Sequence, residues 1–365
     1  MGKTTKLAAI YDPYLATLGG GERYCLTVAE ILKKRGFKVD LFWSGSSSVV
    51  NLAQDRFSLD LSDLRLQADI FCQHGLASFI NRYFITRKYD LFFYLSDGSL
   101  PCLFSRRNLI HFQVPFNYKF TPLHRLLTSF KKRLYFSVIC NSSFTQKFIQ
   151  KSYGLNTTVL YPPVDTKLYR AAHRQLRKNH ILSVARFDNI LNTKKQEILI
   201  KAFRRLSRIH PGWRLVLAGA TVNPNNSFLK KLFRLIDRYP VDVIVNPSFH
   251  RLRQLYQSAK IFWHAAGYRV DFQAHPESAE HFGMAVVEAM AAGLVPLVIN
   301  QGGVTEIVRD QINGFFWQNI NQLVNITDHL IKSPTLLRQI SRQAAIRSKE
   351  FSKEKFTYNF LKLIK

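Results

Sequence analysis

Twice in this chain a short apolar run is followed by a loop, a helix-like segment and a second apolar run, and that repeated β-loop-α-β order leaves few folds open. The first copy begins with Leu-Ala-Ala-Ile-Tyr at residues 7–11, a run of the kind buried on both faces of a parallel sheet. Gly19, Gly20 and Gly21 follow. Apolar Cys25, Val28, Ala29 and Leu32 then predict a helix over 22–34, Gly36 ends it, and 38–43 reads as the next strand. The second copy begins at 180–185, continues with a helix over about 195–209, and reaches a strand at 213–218 that closes on Gly219. Strands at 241–245, 261–264 and 295–299 then alternate with helices at 251–257 and 284–292. The expected fold class is therefore α/β, with two doubly wound parallel sheets.

A length of 365 residues suits two domains of ordinary size. Pro162 and Pro163, in Tyr161-Pro162-Pro163-Val164-Asp165, favour an extended connection between the two starts. The expected division is a domain over 1–170, a second over 171–349, and a terminal helix over 350–365 that packs back on the first. In sheets of this kind ligands sit at the carboxyl ends of the strands, so a central cleft faced by both domains is the expected site.

The charge narrows the partners. Lysine and arginine total 52 against 24 acidic residues, a formal charge of +28, which favours an anionic partner: nucleic acid, acidic lipid or a phosphate-bearing substrate. No acidic residue stands between Asp97 and Asp165. Within that span, 123–136 mixes leucines, aromatics and cations, and reads either as an interfacial helix against anionic lipid or as an amphipathic core helix with a solvated basic face. No nucleic-acid-binding signature accompanies the charge, so no nucleic-acid partner is expected. Cys25, Cys72, Cys102 and Cys140 are far apart and form no CxxC pair, which gives neither a disulfide framework nor a zinc site. There is no DxD sequence, and His264 and His275 lack a third ligand at suitable spacing, so no bound metal is expected.

One segment carries the most chemistry. Met284 opens a helix whose N-terminus lies at Phe282-Gly283, where free amide groups and the helix dipole suit a diphosphate. Glu288 stands in an otherwise apolar run over 284–296, an unusual place for a purely structural glutamate. Glu280 precedes the helix. Arg186 and Lys194 follow the strand at 180–185, where fixed cations would stabilise a departing diphosphate. His111 ends a short apolar strand, a position more often structural than functional.

Glu280-His281-Phe282-Gly283-Met284-Ala285-Val286-Val287-Glu288 resembles the E-x7-E element of glycosyltransferase family 4, the retaining transferases of GT-B fold. The likeness continues through Gly293, Gly302-Gly303-Val304-Thr305-Glu306 and Asn313-Gly314-Phe315. Gly19-Gly20-Gly21-Glu22-Arg23, Asn141-Ser142-Ser143-Phe144-Thr145, the Pro162-Pro163 segment and Ser183-Val184-Ala185-Arg186-Phe187 resemble further family signatures, so the likeness spans nearly the whole chain. The glycine loop and the Glu280-His281-Phe282-Gly283 segment are similar to those of lipid-linked oligosaccharide mannosyltransferases. The resemblance implies a GT-B fold of two Rossmann-like domains: an N-terminal one for the acceptor and a C-terminal one for the nucleotide sugar.

The resemblance also implies roles. Glu280, His111, Arg186 and Lys194 would be the catalytic set. Gly19, Gly20, Gly21, Arg186, Lys194, Gly219, Glu280, Phe282, Gly283, Met284, Ala285 and Glu288 would hold the donor, with His111 at its sugar and Glu288 at the ribose. The spacer over 188–193 departs from the usual family composition, and the loop over 263–277 is longer than usual, at the place of a donor-sugar wall. The implied reaction moves a mannose- or glucose-type hexosyl group, with retention, from a GDP- or UDP-sugar co-substrate to a lipid-linked or cell-surface glycan. No strict metal requirement is expected. The chain is expected in the cytoplasm, peripheral at an anionic inner membrane face. A GT-B protein that binds a nucleotide sugar without transfer, and a synthase acting on a soluble sugar, are the alternatives.

Overall fold

The computed structural model describes residues 5–73, 75–170, 177–187 and 194–365. The 188–193 spacer and part of the expected domain boundary lie outside the described residues. The chain forms two compact units, Met1–Pro163 with Thr357–Lys365, and Val164–Phe356.

The first unit contains a sheet of β1 (Leu7–Tyr11), β2 (Lys38–Phe42), β3 (Arg65–Gln67), β4 (Leu91–Ser96), β5 (Arg107–Phe112), β6 (Ser137–Cys140) and β7 (Thr158–Val159). Its order is β3-β2-β1-β4-β5-β6-β7, and every pairing is parallel. Five helices connect these strands: α1 (Gly20–Lys34), α2 (Ser48–Phe57), α3 (Leu76–Thr86), α4 (Pro122–Lys131) and α5 (Ser143–Tyr153). All six residues of β4 are buried, which is why this strand reads as a continuous apolar run. α1 begins at Gly20 rather than at residue 22, because the Glu22 carboxylate reaches back to accept from the Gly19 N–H. α5 starts where the Ser142 hydroxyl accepts from the Thr145 N–H at 3.0 Å, the physical basis of the Asn141-to-Thr145 signature.

The second unit repeats the arrangement. Its strands are β8 (His180–Val184), β9 (Arg214–Gly219), β10 (Val241–Val245), β11 (Ile261–Trp263), β12 (Val295–Ile299) and β13 (Phe315–Trp317), in the order β10-β9-β8-β11-β12-β13, all parallel. Its helices are α6 (Thr166–Tyr169), α7 (Gln196–Ile209), α8 (Ser227–Ile236), α9 (Phe249–Ser258), α10 (Met284–Ala291), α11 (Ile320–Lys332) and α12 (Pro334–Ser348); α13 (Lys353–Leu363) follows. α7 buries Leu199, Ile200, Phe203 and Leu206 in a core built around Trp263 and Trp317.

In each sheet the chain winds outward from the first strand in one direction and then in the other. The topological switch point therefore lies between β1 and β4 in the first unit and between β8 and β11 in the second. Gly219, at the end of β9, is required by this packing. A Cβ there would overlap the Ala185 carbonyl, at the point where the Ala185 N–H donates to Ala218 O at 3.0 Å. Gly219→Ala is expected to lower stability by about 1–3 kcal/mol through backbone overpacking, measurable as a lower urea midpoint with an unchanged slope.

Candidate active site

The carboxyl ends of β8 and β11 bring the second unit's polar groups together. Arg186 follows β8, His264 follows β11, and Lys194 stands before α7. Lys194 Nζ donates to Glu280 Oε2 at 2.8 Å, and His264 Nε2 lies 2.9 Å from the same oxygen. Burial alone would raise the Glu280 pKa. The Lys194 charge and the His264 hydrogen bond outweigh it and hold the carboxyl well below the usual carboxylate range. The Arg186 side chain is half-buried and has no hydrogen bond or ion pair among the described residues.

Backbone geometry fixes Glu280. Its carbonyl accepts from the Gly303 N–H at 2.7 Å. Gly302 has φ +78°, and a Cβ on Gly302 or Gly303 would overlap the backbone of Glu280 or His281. Gly283 has φ +109° and caps α10, whose first amides point outward without intrahelical acceptors. Met284 and Ala285 stand at that end, both half-buried. Phe282 turns inward instead: it is buried, its ring 5.5 Å from Phe351.

Glu288 is buried and doubly engaged. Oε1 accepts from Tyr169 and Oε2 from Tyr256, each at 2.9 Å. Sequence reading missed both tyrosines, which lie far from Glu288 along the chain and carry no motif. It also left His264 unassigned; its place at the end of the strand beside β8 is the signal that pointed to it.

The first unit presents a different chemistry at its own switch point. Asp12 follows β1 and is fully buried; its Oδ1 accepts from the Tyr14 N–H at 2.9 Å, and the Cys25 thiol also bonds its carboxyl. Burial, and then the nearby Glu22, push its pKa up to about 8. Gly19 caps α1, and Gly20 and Gly21 form its first turn. A Cβ on Gly21 would collide with the Gln113 side chain. His111 lies inside β5, fully buried and stacked on Tyr24 with ring centroids 3.9 Å apart. Burial pushes its pKa down to about 3. The structure thus gathers Glu280, Lys194 and His264 in direct contact, keeps Glu288 and Arg186 in the same unit, and holds Gly19, Gly20, Gly21 and His111 in the other. Among the described residues no group of three or more His, Cys, Asp or Glu is placed to hold a metal ion.

Two parallel, doubly wound units of this kind define the GT-B fold, and solved structures agree. A glycosyltransferase from Rickettsia africae superposes with a TM-score of 0.79 at 16% identity, covering 99% of this chain and 98% of that one. Anabaena HepE in complex with UDP superposes with a TM-score of 0.75 at 20% identity, covering 98% of each. Residues 165–347 match the family described as Glycosyl transferases group 1, and residues 18–168 match Glycosyltransferase Family 4. The chain belongs to this family and is a glycosyltransferase.

Among its relatives, a GDP-Man:Man(3)GlcNAc(2)-PP-Dol alpha-1,2-mannosyltransferase of Dictyostelium discoideum is 27% identical over 271 residues, 67% of this chain and 49% of that protein. This chain thus spans about half the length of that relative. An uncharacterized glycosyltransferase of Haemophilus influenzae is 23% identical over 359 residues, 93% of this chain and 95% of that one.

The Asp12 environment has a measurable consequence. A carboxyl whose pKa is raised in the folded state binds its proton more tightly there than in the unfolded chain, so stability falls as pH rises from about 4 toward 8. Asp12→Asn should flatten that fall, read from urea midpoints at stepped pH.

Proposed function

We propose that the chain transfers a mannose- or glucose-type hexosyl group, with retention, from a nucleoside-diphosphate sugar to a lipid-linked or cell-surface glycan. The observation that carries this reading is the cluster at the second unit's switch point: Lys194 on Glu280, with Arg186 after β8 unpaired among the described residues. A cation with no protein partner among the described residues and the α10 amide end suit a diphosphate. A carboxylate held ionised suits sugar hydroxyls.

Arg186, Lys194 and the amides of Gly283, Met284 and Ala285 would take the diphosphate, Glu288 the ribose, and Glu280 the hexose. The acceptor hydroxyl would form its bond to the anomeric carbon on the face from which the diphosphate departs. The departing phosphate oxygen takes the hydroxyl proton as its bond to that carbon breaks. No side chain is then required as a base, and Glu280 orients the sugar. No metal takes part in this scheme. The first unit, with its glycine loop, would receive the acceptor. His111 stacks on Tyr24, Gly219 packs against Ala185 and Phe282 against Phe351.

A GDP-mannose-type donor is favoured by the named mannosyltransferase relative, and a UDP-type donor by the ligand of HepE. The polyprenyl-linked substrate in that relative's name favours a lipid-linked acceptor. Two helices of the first unit support a peripheral place on an anionic inner membrane face. α4 exposes Leu123, Leu126, Leu127 and Phe130, and α3 exposes Leu76, Ile80 and Phe84, which supports the interfacial reading of 123–136. Among the described residues no helix is long and apolar enough to cross a membrane.

A thermal-shift screen of UDP-, GDP- and ADP-sugars tests the donor site: at least one should stabilise the protein, and none doing so would sink the reading. With the stabilising donor, Lys194→Ala and Glu288→Ala should each lower turnover by about 10²–10³-fold; near-normal rates would refute the assigned roles. In co-sedimentation, Leu126→Asp/Phe130→Asp should lose about tenfold in affinity for vesicles containing anionic lipid. Equal binding of the wild-type chain to neutral vesicles would count against the membrane surface.

A further inference from the structure

We propose that His264 is a positioning residue for the donor sugar: it fixes Glu280 so that one carboxylate oxygen remains as a single aimed acceptor for a sugar hydroxyl. The inference rests on the donor-site reading above and adds to it a residue that no motif marks.

Both protein partners of Glu280 use one oxygen. Lys194 Nζ and His264 Nε2 lie 2.8 Å and 2.9 Å from Oε2, and Oε1 has no hydrogen bond among the described residues. Because an ionised carboxylate only accepts, the His264 proton in this contact sits on Nε2. Among the described residues His264 Nδ1 is buried without a partner, so the Nε2 contact is the imidazole's one hydrogen bond there.

The two partners differ in how firmly they are held. His264 follows directly on β11, is 5% exposed, and its backbone N–H donates to Leu297 O at 3.0 Å, which extends the β11–β12 ladder by one residue. Its ring is placed by the sheet. Lys194 reaches Glu280 through a long side chain from the residue before Lys195, whose φ is +56°. If Lys194 turns toward the diphosphate when donor binds, His264 still holds Oε2. Lys194 supplies charge and His264 supplies geometry. A glutamate released from both would sample several rotamers, and a hydroxyl contact would then have to order it at binding.

The contact should therefore appear in the sugar-dependent part of donor affinity and be absent from the nucleotide part. The full chain is titrated calorimetrically with UDP, UDP-glucose, GDP and GDP-mannose, and the base that binds wild type is carried forward. His264→Asn and His264→Ala should weaken the nucleotide sugar about tenfold while the matching diphosphate stays within about twofold. Asparagine places its amide near the Nδ1 position and falls short of Glu280. His264→Gln, whose amide nitrogen reaches the Nε2 position, should keep most of the wild-type ratio. A merely structural histidine would give equal losses on sugar and diphosphate, and that result, or an unchanged ratio in His264→Asn, overturns the inference while leaving the donor site standing. A wild-type chain that binds none of the four ligands would instead sink the donor-site reading and this inference with it.

Discussion

A carboxylate removed from water needs a compensating charge, and Glu280 has its own in Lys194. Each side chain is 15% exposed, so neither could stay charged there comfortably without the other. The rest of the second unit's site is built around this pair. β8 and β11 bring Arg186 and His264 to the switch point, and the glycines at 302–303 bring the chain back against Glu280. Pair and sheet are interdependent, because the crevice beside the first strand is where both partners can meet while half shielded from solvent.

Much of this was legible in the sequence for a physical reason. Strands buried on both faces must be almost wholly apolar, so β1 and β12 announce themselves by composition, and the expected bounds of β10 and β12 agree with the observed ones. Helix starts were less legible, since α1 gains its first turn from Glu22 reaching back to Gly19, a side-chain choice that periodicity does not register. Glu280 and Lys194 were singled out separately, but their contact joins residues 86 apart in sequence and exists only once the sheet has formed. Tyr169 and Tyr256 were invisible for the same reason: each is an ordinary aromatic in its own segment and becomes a ligand of Glu288 through packing.

The two units share a winding order but differ at the end of their first strand. In the second unit Lys194 and His264 meet one carboxylate. In the first, Asp12 and Glu22 lie near each other beside the glycine loop, and Asp12 holds its proton up to about pH 8. Like topology thus supports unlike electrostatics, because the sheet specifies where loops converge and leaves their chemistry to a few residues. The strongly basic overall charge does not reveal this contrast.

The glycines at 302 and 303, which follow β12, pack against the far end of the long loop after β11. One end is anchored at His264 by the sheet and the other at Glu280 by a backbone contact too close for any side chain. The stretch between these two posts is itself packed: Ala265, Ala266, Tyr268 and Ala279 are buried, and the Tyr268 ring lies 5.4 Å from Trp317. A change of length there would press on the same core that holds β11 and β13, so the carboxylate's surroundings are tied to the packing of the whole unit.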